Sequence, residues 1–189
     1  MNRRAAALKA PLRNLPLIQQ RGYKSRLNRE QSPWRMLLVP IFAVIFASAI
    51  TCLPIIVEQP ILPPFGLLVL LSWRLMRPGI WPVWVGLPFG LFDDMVSGQP
   101  LGSAAFLWSL VMIGIELLDQ RAAWRDHWQD WFVAAVTIVF TIIMQWIFIG
   151  WAFQRPSIIV LIPQIIFSLL IFPLIVRICA RLDKWRLDT

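Results

Sequence analysis

The run from Met36 to Val57 passes 22 consecutive positions without a charged residue. At about 1.5 Å of rise per residue, a helix of that length crosses the roughly 30 Å hydrocarbon core of a bilayer. The rest of the chain is built on the same lines. Hydrophobic residues make up 58% of the 189 positions and charged residues only 15%, against about 25% charged and roughly 45–50% apolar in soluble domains. One small core cannot hide that excess, so most of it must face lipid. This excludes an ordinary cytosolic enzyme. The net charge of +8 also does not make a nucleic-acid binder, because it forms no face on a soluble domain.

Six segments read as membrane spans: Met36 to Val57, Ile61 to Trp73, Ile80 to Val96, Leu101 to Leu118, Trp131 to Ala152 and Ile158 to Ala180. The expected architecture is an all-α polytopic bundle, residues 36–180, behind a basic tail of residues 1–35 and ahead of a short tail of residues 181–189. The second segment is short and opens with Pro63-Pro64, so it should extend into Arg74–Met76 or be broken. Spans two to four are crowded enough to include a re-entrant piece. With six spans and a cytoplasmic N-terminus, 17 of the 18 Lys and Arg residues fall on the inner side. Only Arg155 does not. That asymmetry predicts an even number of spans with both termini in the cytoplasm.

Half of the positive charge lies ahead of Met36. Such a tail either docks a cytoplasmic partner or anionic lipid, or simply fixes orientation beside an anionic leaflet. It does not read as a cleaved signal peptide, because the first apolar run exceeds a normal h-region of roughly 7–15 residues. Trp34, Trp73, Trp81, Trp124, Trp128, Trp131, Trp151 and Trp185 fall near span ends, where indole prefers the interface. Trp84, Trp108 and Trp146 lie deeper.

Chemistry is hard to place. The one His, His127, stands in an inner loop between Asp126 and Asp130 and reads as a loop residue rather than a metal ligand. Cys52 and Cys179 belong on opposite sides of the membrane, which excludes a disulfide between them. Ser97-Gly98 has no intramembrane His or Lys to activate its hydroxyl. No phosphate-binding glycine loop is present. The chain therefore reads as non-enzymatic, with no cofactor and no metal.

The informative stretch is Val85 to Gly102. Gly86 and Gly90 form a small-xxx-small pair that lets another helix approach closely. On a helix, Gly86, Gly90, Asp93 and Ser97 share one stripe, and Asp94 is turned about 100° from Asp93. The expectation is that Asp93 caps the start of the fourth span and that Asp94 is a polar stop at the lipid boundary. Asp93→Asn should then be the more damaging of the two substitutions. Gly98 should take a positive φ in a tight turn, and Pro100 should open the next helix. Gln145 and Gln164 should hydrogen-bond to neighbouring helices. Pro40, Pro54, Pro82, Pro88, Pro163 and Pro173 should kink or break spans.

The run Gly86-x3-Gly90-x2-Asp93, then Ser97-Gly98, then Leu101-Gly102, resembles the signature of the MreD family of bacterial rod-shape-determining membrane proteins. Leu62 to Trp73 and the ending from Pro163-Gln164 through Pro173 to Arg177 and Arg181 are similar to the same family. The likeness covers residues 36–186. Many members carry an Asp where this chain has Pro64, so no role of that Asp carries over. The resemblance implies a non-catalytic scaffold subunit of the cell-elongation (peptidoglycan synthesis) machinery in the inner membrane, with a bundle similar to transporter S-components. It implies an MreC-like bitopic partner and, indirectly, MreB-like filaments and peptidoglycan synthases. Gly86, Gly90, Asp93, Ser97, Gly98 and Gly102 would fix the bundle or a partner contact. The proline-broken spans keep a second reading open, a small-molecule-binding subunit of a membrane transporter.

Overall fold

The computed structural model describes residues 33–51, 62–121, 127–152 and 158–188. The chain divides into Met1–Pro33 and Trp34–Thr189, and the second unit holds the bundle. The basic tail, Cys52, Pro54, Trp124 and Arg155 lie outside the described residues, apart from the end of the tail that enters the first helix. Among the described residues the structure is helical, with no strand: α1 Pro33–Ile50, α2 Phe65–Met76, α3 Gly86–Ser97, α4 Ser103–Arg121, α5 His127–Ala152 and α6 Leu161–Asp188. Three-residue 3-10 turns, Val83–Val85 and Ile158–Val160, lead into α3 and α6.

Three helical stretches are long and apolar enough to cross a membrane: Ser103–Arg121, Trp128–Trp151 and Leu161–Arg186. The apolar helices Leu37–Ile50 and Phe65–Met76 are shorter. The sixth helix runs on to Asp188, past the expected end of the span at Ala180. The second segment extends to Met76, and the third is broken. Pro82 is extended, the 3-10 turn follows, and α3 begins only at Gly86. Proline placement explains why the other helices survive. Pro88 and Pro163 each sit at the third position of a helix, where the backbone N–H has no intrahelical partner to lose. Pro40 and Pro173 alone lie inside longer helices.

α2 is the centre of the bundle. Leu67, Leu68, Leu70, Leu71, Ser72 and Trp73 are all fully buried, which requires apolar neighbours around its whole circumference and matches its unbroken apolar sequence. It packs against α6 and α5, while α3 lies along α4. Ser72 satisfies its buried hydroxyl by donating to the Leu68 carbonyl at 2.7 Å. The tryptophans divide accordingly. Trp128, Trp151 and Trp185 are exposed, as interfacial residues should be, but Trp73 and Trp81 are core residues. Trp81 packs edge-on against Phe89 with ring centres 5.4 Å apart. Trp84, expected to lie deep, is 68% exposed.

Candidate functional site

The contact of α3 with α4 is a backbone-on-backbone seam. A Cβ placed on Gly90 would lie 2.5 Å from Ala105 Cα and 2.6 Å from the Ala104 carbonyl oxygen. One placed on Gly86 would lie 2.7 Å from the Trp108 carbonyl carbon and oxygen. Only glycine permits this approach, which is the use expected of the small-xxx-small pair in lipid.

Asp94 closes the seam. Its Oδ1 accepts from the Ala104 amide at 2.9 Å and from Ser103 Oγ at 3.0 Å. Its Oδ2 accepts from the Gly102 amide at 2.9 Å and from the Ala105 amide at 3.3 Å. Four donors at the start of α4 are thereby satisfied by one carboxylate that is 1% exposed. Those amides are the orphan donors of a helix N-terminus, where the dipole also favours an anion. The cap expected of Asp93 is therefore made by Asp94, and Asp94 is no polar stop at the lipid boundary. The reason is geometric. Two helices in close contact meet along a ridge of every fourth residue, and Gly86, Gly90 and Asp94 follow that ridge, whereas Asp93 follows the straight average of 3.6 residues per turn.

Asp93 faces another way. It is buried, and its Oδ1 lies 3.1 Å from the point that a Cβ on Gly66 would occupy. Ser48 Oγ of α1 and the Trp108 ring of α4 crowd the same point. Four helices thus converge on the hydrogen side of Gly66. Nothing in the sequence pointed to that close approach, because Gly66 carries no signal beyond its place near the start of a short apolar run.

The turn between α3 and α4 matches expectation at Gly98 and adds a second positive-φ glycine, Gly102, that was not foreseen. Gly98 ends α3 at φ 68° and Gly102 precedes α4 at φ 95°, and a Cβ on either would meet nothing within 4 Å. Conformation, not space, selects glycine at both positions. Ser97 Oγ donates to the Asp93 carbonyl at 2.7 Å. Pro100 does not open α4. It lies in the turn, and its carbonyl accepts from the Ser103 amide at 3.1 Å. The two expected glutamines do reach beyond their own helices, but each meets a connecting segment rather than a neighbouring helix. Gln145 Nε2 of α5 donates to Gln99 Oε1 in the turn, and Gln164 Nε2 of α6 donates to the Leu62 carbonyl, ahead of α2, at 3.0 Å.

The opposite end of the bundle holds an ionic clasp that the sequence reading did not assemble. Arg74, into which the second segment was expected to extend, lies in α2 and is 2% exposed. Its Nη2 meets Glu116 at 2.5 Å and Asp119 at 3.0 Å, both on α4. Beside it, Arg77 Nε and Nη2 donate to Asp183 Oδ2 of α6 at 2.9 and 2.7 Å. Arg186 pairs with Asp183 Oδ1 at 2.6 Å and lies 5.2 Å from the centre of the Trp73 ring. Three helices are joined by these charges. The available signal was the pair of opposite charges, Arg74 and Glu116, standing at the ends of otherwise apolar runs. A buried arginine is tolerated only when paired, so Arg74→Met should cost about 1–2 kcal/mol, less than a fully buried pair would, because the Glu116 and Asp119 carboxylates that lose it are partly open to water. Adding Glu116→Gln should recover part of that loss, as read by thermal unfolding of the purified protein.

Among the described residues no group of three His, Cys, Asp or Glu is placed to hold a metal. Cys179 is a buried free thiol. His127 is the first residue of α5. The buried polar groups at both ends join helix to helix. No curated protein and no solved structure matches the chain. The family model described as rod shape-determining protein MreD matches residues 29–181, which takes in all six helices up to the last turns of α6. The glycine seam, the turn and the clasp all fall within that match, and the chain belongs to the MreD family.

Proposed function

We propose that the protein is a non-catalytic scaffold subunit of the bacterial cell-elongation machinery. The family assigns a role in determining rod shape in the membrane. The observation that carries the scaffold reading is the Asp94 carboxylate, whose two oxygens take up four donors of α4. The most deeply buried acid of α3, next to the signature's Asp93, thus holds a helix seam, and its acceptor sites are occupied by the protein's own backbone and Ser103. Gly86, Gly90, Ser97, Gly98 and Gly102 support the same seam. On this reading six spans cross the inner membrane with both termini in the cytoplasm, as the placement of 17 of the 18 basic residues favours. An MreC-like bitopic protein is the direct partner. MreB-like filaments and peptidoglycan synthases are reached through it, and the basic tail lies against anionic lipid.

Affinity purification of the detergent-solubilised protein from its own membranes, combined with depletion in growing cells, tests this. An MreC-like protein should co-elute and depleted cells should round up. A protein that elutes alone, from cells that keep their shape when it is depleted, would refute the proposal.

A further inference from the structure

Helices α4 and α5 touch at one end and part at the other. Near the Gln99 turn, Phe106 of α4 packs edge-on against Phe148 of α5 with ring centres 6.2 Å apart, and Gln99 meets Gln145. Followed away from that turn in steps of four, the same face of α4 passes through Leu110, Gly114 and Leu118. All three are exposed, and a Cβ on Gly114 would meet nothing within 4 Å. At the end that holds the Arg74 clasp, the gap becomes a groove of about 610 Å³. Leu118 of α4 lines it together with Gln129, Phe132, Val133, Val136 and Thr137 of α5, and Trp128 stands at its rim.

The chemistry of the lining selects the occupant. Thr137 Oγ1 already donates to the Val133 carbonyl at 2.7 Å, and Gln129, in the first turn of α5, is the other polar side chain of the lining. An extended peptide laid here would bury backbone N–H and C=O groups without partners, which is costly in hydrocarbon. A helix satisfies its own backbone but is about 10–12 Å across. Over the roughly 12 Å from Gln129 to Thr137 it would need about 900 Å³, so it would rest on the rim above an empty floor. A hydrocarbon chain needs no hydrogen bond and is thin enough to enter. The mouth is cationic. One turn past Leu118, Arg121 is exposed and, among the described residues, forms no ion pair, whereas Arg74, Arg77 and Arg186 are each held by a carboxylate. Asp130, the acid of the first turn of α5, does not line the groove.

We propose that the groove between α4 and α5 binds one acyl chain of an anionic phospholipid, whose phosphate is held at the mouth by Arg121 and Gln129. The chain fills the gap that the two helices leave. Trp128, stacked edge-on with Trp131 at 5.9 Å, sits at the depth of the headgroups. This site is separate from the basic tail. The inference needs only that the family's bundle lies in a membrane, and it stands independently of the scaffold reading.

The test uses the full chain, delipidated in a nonionic detergent and titrated with phosphatidylglycerol or phosphatidylcholine of identical acyl chains, with bound lipid counted by native mass spectrometry. The first phosphatidylglycerol should bind about fivefold more tightly than phosphatidylcholine, the worth of one cation beside a headgroup. Arg121→Gln should bring the two lipids to equal affinity. Val136→Trp, at a position 52% exposed, should fill the groove and weaken the first phosphatidylglycerol at least tenfold. Equal affinities in the unaltered protein, or a preference that survives Arg121→Gln, would overturn the headgroup site. Undiminished binding to Val136→Trp would put the lipid elsewhere and overturn the groove. A protein that binds no lipid and forms a dimer lost in Val136→Trp would give the groove to a second copy, which is equally contrary. Should Val136→Trp fail to give a monodisperse protein, Leu118→Trp on the facing wall takes its place with the same expected outcomes.

Discussion

Asp94→Ala should destabilise the purified protein by about 2–4 kcal/mol. Losing an ordinary N-cap costs about 0.5–2 kcal/mol, and each buried donor left without an acceptor adds about 1–3 kcal/mol. Here one carboxylate, 1% exposed, serves the Gly102, Ala104 and Ala105 amides and the Ser103 hydroxyl. The sum is held below the arithmetic total because the frayed first turn of α4 can admit water. For a domain of this size the loss corresponds to roughly 5–15 °C in melting temperature. Asp94→Asn keeps one acceptor oxygen and should lie between Ala and the native residue. Asp93→Asn should cost less than either, since Asp93 caps no helix. Thermal unfolding of the three variants in one detergent checks the order. An Asp93→Asn variant less stable than Asp94→Ala would contradict the assignment of the cap.

Gly90→Ala carries the second large effect. The added methyl would sit 2.5 Å from Ala105 Cα and 2.6 Å from the Ala104 carbonyl oxygen. These are backbone atoms of a helix, so nothing local can swing aside and the two helices must separate. Overpacking of this kind costs about 1–3 kcal/mol, occasionally more. The separation also pulls Asp94 away from the amides it caps, so a loss of about 3 kcal/mol is expected, with a similar result for Gly86→Ala. Gly114, on the exposed side of α4, is the control. A Cβ there meets nothing within 4 Å, and alanine favours the helix by up to about 1 kcal/mol. Gly114→Ala should therefore be neutral or slightly stabilising. Equal effects at Gly90 and Gly114 would mean that the seam is not the tight contact described.

The membrane character and most of the helices were legible because they depend on long apolar runs and on proline and glycine chemistry that acts locally. Gly98 had to take a positive φ because a helix ended there and another began a few residues later. The seam was legible in its glycines and misread in its acid. Choosing between Asp93 and Asp94 requires knowing whether the contact follows the average helical repeat or the ridge of every fourth residue, and that depends on how α4 crosses α3. The Arg74 clasp needed three helices in register, which no single segment encodes. Trp73 and Trp81 were misplaced for a related reason. Their positions near the ends of apolar runs fit an interfacial belt, but Trp73 ends up in the buried α2 beneath Arg186 of α6, and Trp81, between α2 and α3, packs on Phe89.

On the proposed function, the buried acids of this bundle shape it and perform no chemistry. Asp93 is where that claim is most exposed, because it is buried without capping a helix. The decisive measurement is the shape of cells whose only copy of the protein is Asp93→Asn, present at wild-type abundance. A scaffold predicts rods of normal length and width, since the amide keeps the size of the side chain at the junction around Gly66. Rounded cells at unchanged abundance would show that the ionisable group itself is needed, and would contradict the account.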